Sequence, residues 1–225
     1  MKKIAIIVGL TLSIGASAQT VFYGGDWDRL GNLTAQIHSS GMLDSVIYDD
    51  FTLTSMSDIN GIFANFLDDS GTSTSNKLYW EIRSGMSTGN GGTIVHAGTV
   101  SNATVTETGR FNFTTPERKY ESVVSTFSLG PGTYFLGVAA DSMFEQVFLT
   151  TASGANGVGG PLHNGNSFWN MPGAGENFSS VSDFFGGRQT DFSIGIRGAT
   201  SVPEPTAILG LAIGLVVLVR FRKRS

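Results

Sequence analysis

The residues able to do chemistry in this chain are few and scattered. Gly85-Met86-Ser87-Thr88-Gly89 is a literal Gly-x-Ser-x-Gly, the spacing of a hydrolase nucleophile elbow. Such an elbow works only where a strand enters and a helix leaves, because that geometry holds the serine on a sharp turn beside backbone N–H groups. A β-type run precedes the serine, but Asn90-Gly91-Gly92 and a second β run follow it, so the segment reads as a loop between strands. His38, His96 and His163 are the only histidines, and no two of them have the i, i+2 or i, i+4 spacing of a ready metal site. The chain has no cysteine, which removes thiolate ligands, thiol nucleophiles and disulfides. A Ser-His-Asp set gathered from distant positions stays open. No catalytic residue is assigned, and a noncatalytic protein is expected.

Binding chemistry has more to draw on. Asp49-Asp50 and Asp68-Asp69 place carboxylates in pairs, and Ca²⁺ takes six to eight oxygens, some of which sandwich loops supply as carbonyls. The spacing is not that of an EF-hand, and solvated acidic turns are the simpler expectation; no cofactor other than such a calcium ion is expected. Trp27, within Gly24-Gly25-Asp26-Trp27-Asp28, and Trp169, within Asn166-Ser167-Phe168-Trp169-Asn170, read as loop aromatics among polar residues. Rings so placed can stack on sugar faces while Asp and Asn bind hydroxyls, or can plug the end of a sandwich. Trp80 alternates with Leu78 and Ile82, which predicts that all three face the core. Thr104, Thr106 and Thr108 form a threonine row, but on one strand only, whereas an ice-binding surface needs several such rows side by side.

These residues need a scaffold, and the pattern supplies strands. Ser45 to Leu53, Ile59 to Leu67, Leu78 to Arg83, Thr93 to Val100, Ala103 to Phe113, Tyr120 to Leu129, Thr133 to Ala140, Gln146 to Thr151 and Asp191 to Arg197 are short β-type runs bounded by Gly, Pro, Asn, Asp or Ser. A glycine-rich stretch, Ser153 to Gly187, interrupts them and reads as a surface excursion or an unstructured insertion. Thirty glycines with only 14% charged residues suit many turns rather than long helices. The expected fold is an all-β, jelly-roll-like sandwich over 19–201.

The ends differ in kind. Lys2 and Lys3 precede an apolar run from Ile4 to Ile14, and Ala16-Ser17-Ala18 gives a small-x-small site, so 1–18 reads as a signal peptide cut after Ala18. Between the ends, Gln19 to Val202 carries 8 basic and 17 acidic residues, a net charge of −9. A field of that sign repels nucleic acid and anionic lipid.

From Val202 the chain reads Val202-Pro203-Glu204-Pro205-Thr206, then the apolar run Ala207 to Val219, then Arg220, Phe221, Arg222, Lys223, Arg224 and Ser225. Pro203 and Pro205 fix their own φ and push Val202 and Glu204 toward extended backbone, displaying Glu204 on a stiff segment. Thirteen apolar residues make a helix of about 20 Å against a hydrocarbon core of about 30 Å, so a span of about 206–221 has to recruit Thr206 and Phe221. Arg220, Arg222, Lys223 and Arg224 orient that span with its C-terminus in the cytoplasm.

Taken together, 202–225 resembles the PEP-CTERM sorting tail. The resemblance implies an exosortase as partner, alongside signal peptidase. It further implies cleavage near Pro203-Glu204-Pro205 and delivery through an inner-membrane intermediate to the surface or extracellular matrix of a Gram-negative bacterium that makes exopolysaccharide. Tyr48-Asp49-Asp50-Phe51, Gly132-Thr133-Tyr134-Phe135-Leu136 and Phe192 to Gly198 are loosely similar to the β-sandwich ectodomains found ahead of such tails. Binding of extracellular polysaccharide through Trp27 or Trp169 is the alternative activity for the domain.

Overall fold

The fold comes from a computed structural model that describes residues 18–37, 44–68, 76–141 and 146–200. The signal-peptide residues up to Ser17, His38, Asp69 and the whole of the 202–225 tail lie outside the described residues.

Among the described residues fourteen strands follow one another: β1 (Gln19–Tyr23), β2 (Trp27–Thr34), β3 (Gln36–Ile37), β4 (Val46–Leu53), β5 (Ser57–Leu67), β6 (Leu78–Ser84), β7 (Thr93–Val100), β8 (Thr104–Asn112), β9 (Thr115–Leu129), β10 (Gly132–Asp141), β11 (Phe148–Ala152), β12 (Ser167–Met171), β13 (Glu176–Ser180) and β14 (Ile194–Thr200). The helices among the described residues are one turn of α1 (Val181–Phe184) and a 3₁₀ turn at Pro172–Ala174. The chain is therefore all-β, and its strands form two sheets. In the first, β5 carries β9 and then β8 along one side, and β14–β1 and β11–β2 share its other side. The second runs β13-β12-β4-β10-β6-β7, with β3 alongside β10.

A shared core holds the sheets face to face as a sandwich. Alternation sends Ile59, Phe66, Ile194 and Ile196 inward from the first sheet, and Ile47, Phe51, Leu136 and Val138 inward from the second. Trp80, with Leu78 and Ile82, joins this core as the alternation predicts. The second sheet also buries its outer face. There Val46, Tyr48, Phe135, Ala139 and Phe168 pack with Met86, and Phe178 of β13 lies against them. β4 and β10 thus run between two apolar layers, which is why Tyr134 to Ala140 of β10 is a nearly continuous apolar stretch.

The nine expected strands are all present, and the glycine-rich stretch departs from expectation. It carries β12, β13 and α1, and β12 pairs with β4 from Ser167↔Asp49 to Asn170↔Val46. Short polar strands pairing onto a sheet edge show little alternation of their own, so glycine density masked them. Likewise β2 is broken by Arg29, with φ at 60°, and by a register shift against β11, which hides its period. β9 begins at Thr115, five residues earlier than expected, because its charged start is buried by pairing: Glu117 takes hydrogen bonds from Arg110, Thr108 and Thr150.

Candidate functional site

The two boundaries of the sandwich meet. β1 begins at Gln19, directly after the expected cleavage point at Ala18, and pairs with β14 through Gln19↔Gly198. β14 ends at Thr200, two residues before Val202. The expected leader and tail would therefore attach at the same end of the same sheet. Ala18 itself is exposed.

The acidic residues are not the solvated turns expected for them. Asp49 and Asp50 lie in β4 and are 1% and 3% exposed. Asp49 sits between Ile47 and Phe51 on the core-facing side, and its carboxylate accepts hydrogen bonds from Phe192 N, 2.6 Å, and Asp50 N, 3.0 Å. It thereby ties the β4 backbone to the chain entering β14 in the other sheet. Burial, followed by the Asp191 charge, pushes the Asp49 carboxyl well above the usual carboxylate range. Asp50 is also raised by burial, and its carboxylate accepts from Asn164 Nδ2 at 3.0 and 3.1 Å. Asp191 accepts from Asn164 N and Gly165 N. These acids fasten the 164–166 loop and the strand ends. Asp68 is elsewhere, buried against Tyr120 Oη, which donates at 2.6 Å, and Arg118. Among the described residues, no group of three His, Asp or Glu side chains is arranged to hold a metal ion.

Both tryptophans expected in loops lie in strands instead. Trp27 lies in β2 rather than a loop, is 7% exposed, and donates from Nε1 to Gly31 O at 3.0 Å. Trp169 lies in β12, half-buried; its Nε1 donates to Ser45 Oγ at 2.7 Å, and its ring meets Phe184 edge to face at 5.3 Å. Both rings close the sandwich.

The remaining motifs resolve simply. Ser87 and Asn90 exchange backbone hydrogen bonds of 3.0 and 2.8 Å in the turn between β6 and β7, with Gly85 and Gly89 at positive φ. With a β-turn in place of a helix after Ser87, the Gly-x-Ser-x-Gly is a hairpin. His163 is exposed, and His96 on β7 stacks on Phe127 with ring centroids 4.0 Å apart. Thr104 and Thr106 pair with Glu121 and Lys119 of β9, so charged side chains, not further threonine rows, flank them.

One feature that alternation did not reveal is a groove of about 510 Å³ between the outer edges of the two sheets. β7 forms the edge of the second sheet. β8 covers β9 only as far as Glu121, and just beyond it β9 sets Val123 to Phe127 against only Gly61 to Ile59 of β5. The register shift lies beside the stretch of β9 that lines the groove, Val123 to Phe127. Trp80, His96 and Phe127 line it, with the Trp80 and Phe127 rings nearly parallel, 8° apart at 5.6 Å. The visible sequence signal is Gly98, a glycine inside an otherwise regular strand.

Compared with known proteins, the chain matches no family model, no curated protein and no solved structure.

Proposed function

We propose that this chain is an exported, noncatalytic surface or extracellular-matrix protein whose jelly-roll-like sandwich is delivered by exosortase processing at Pro203-Glu204-Pro205. The observation that carries this reading is the order of features in 202–225: a stiff extended acidic motif, an apolar run, and a terminal basic cluster. The arrangement of the domain supports it. Because β1 and β14 lie side by side, with the leader and tail joined at one end, the sandwich can fold outside the membrane while held by either segment. The cut after Ala18 falls just before β1, and a cut near Glu204 falls beyond the end of β14 at Thr200, so both leave the described ladders intact.

In this account signal peptidase acts first and the basic residues hold the C-terminus in the cytoplasm. The membrane span at about 206–221 then presents Glu204 at the outer interface, where the exosortase reads it. The partners are these two enzymes and, transiently, the inner membrane; the acidic domain does not bind nucleic acid. Replacing Pro203, Glu204 and Pro205 together by alanine tests the reading in the native host. The leader should still be removed, and the tail-bearing form should accumulate in the membrane fraction. A variant that reaches the surface in the same processed form and amount as the parent would make the tail a plain anchor.

A further inference from the structure

The groove between β7 and β9 has the chemistry of a ligand site, and its features do not depend on how the chain is sorted. Trp80 is 6% exposed, yet its Nε1–H has no hydrogen-bond partner among the described residues. A buried donor in that state favours any ligand that brings it an acceptor. The indole lies directly across the ladder from Gly98. A Cβ at that position would stand 3.1 Å from Nε1, Cε2 and Cζ2 of the indole. Glycine therefore puts no side chain against this edge of the indole, whose N–H is buried in the groove wall.

The rest of the lining narrows the ligand class. Thr99, Ser101, Ser125 and Thr126 supply hydroxyls, and His96 and Phe127 supply ring surface. No Asp, Glu, Lys or Arg lines the groove, so a charged ligand would find no counter-charge there. An entirely apolar ligand would leave the hydroxyls and the indole N–H without partners. The size falls within the range of small-molecule sites, about 300–1,000 Å³. The groove is open along two sheet edges, which admits an inner unit of a longer chain. The net charge of −9 on the domain disfavours acidic polymers at long range.

We infer that the groove between β7 and β9 binds a neutral saccharide chain, with a sugar hydroxyl accepting from Trp80 Nε1 and a C–H face packed on the His96–Phe127 pair. This site is separate from Trp27 and Trp169, whose indole N–H groups already donate to Gly31 O and Ser45 Oγ. Gly98 keeps the site open, because any larger residue would fill the space beside the indole.

The test uses the full chain, purified in a detergent without a sugar headgroup. The probes are neutral hexasaccharides of α- and β-linked glucose, mannose, galactose, xylose and N-acetylglucosamine, with oligogalacturonate as the acidic counterpart. Titration calorimetry measures binding, and the indole N–H resonance that disappears in Trp80→Phe reports the site. At least one neutral probe should bind saturably and shift that resonance. Gly98→Val should weaken binding at least tenfold without changing the circular dichroism spectrum. Thr126→Trp, which fills the groove from the opposite wall at an exposed position, should do the same and guards against a folding defect at Gly98. Saturable binding by none of the neutral probes, binding by oligogalacturonate alone, or undiminished binding by both groove-filling variants would overturn the inference. So would binding of a neutral probe that leaves the Trp80 resonance unmoved.

Discussion

Replacing Arg83 by methionine should destabilise the sandwich far more than its place near the surface suggests. Glu81 is 1% exposed and its carboxylate accepts from Arg83 Nε at 2.7 Å, Arg83 Nη2 at 3.2 Å, Tyr79 Oη at 3.0 Å and Tyr48 Oη. Methionine preserves much of the side-chain volume but leaves that carboxylate buried without a counter-charge, a change that costs about 3–5 kcal/mol. For a domain of this size each kcal/mol moves the melting temperature by about 2–4 °C, so a fall of roughly 10 °C is expected. The guanidinium also lies 5.1 Å from the Phe178 ring and donates to Gly91 O at 2.9 Å, so its loss should loosen β13 and speed proteolysis within 153–187. Adding Glu81→Gln removes the stranded charge while keeping an acceptor for one tyrosine. The double variant should recover at least about 2 kcal/mol relative to Arg83→Met alone. Urea denaturation of the 19–201 domain, followed by circular dichroism, measures the parent and both variants. If Arg83→Met cost less than about 1 kcal/mol, the value of an exposed pair, or if the two changes simply added, the buried ion pair would not be holding this face.

Two further outcomes are expected. Because the folded value of Asp49 is raised, first by burial and then by the Asp191 charge, the folded state retains a proton that the unfolded chain releases. Its contribution to stability is complete below the ordinary carboxylate range and is lost as pH rises through the raised folded value. Asp50 acts in the same direction, whereas Asp26, lowered because bonds from Asn156 and Tyr23 and the Arg110 charge outweigh its burial, loses its contribution only as pH falls below that range. Melting temperatures should therefore decline from about pH 5 toward neutrality, and Asp191→Asn should flatten the decline; an unchanged slope would contradict the assignment. At Gly195 an added Cβ would meet the Phe63 ring at 2.3 Å and Phe22 O at 2.6 Å, so Gly195→Ala should cost about 3 kcal/mol, while Gly130→Ala, in open space, should change stability by less than about 0.5 kcal/mol in the same urea assay.

Alternation was legible wherever a strand has one wet face or a long apolar run, as in β5, β6 and β10. It failed where tertiary pairing imposes the strand. The pairing of β12 with β4 makes Ser167 to Met171 a strand despite its polar neighbours, and Trp27 was read as a loop residue because a positive φ at Arg29 breaks the period behind it. Asp49-Asp50 looked like a solvated turn because nothing local announces Phe192 N, 143 positions away, as its partner. The groove was equally illegible: Gly98 is visible, but the lining comes from strands of two different sheets, and nothing local to either shows that they meet. The proposed sorting motif rests on the sequence alone, because its proline spacing, apolar length and terminal charge are all local.

The measurement closest to the central claim is the intact mass of the protein recovered from the surface or extracellular matrix of its native host. The account predicts a species beginning at Gln19 and ending near Pro203-Glu204-Pro205, with Ala207 to Ser225 missing, whether released or carrying an added group at its new end. A mature surface form that retains Ala207 to Ser225 would contradict it.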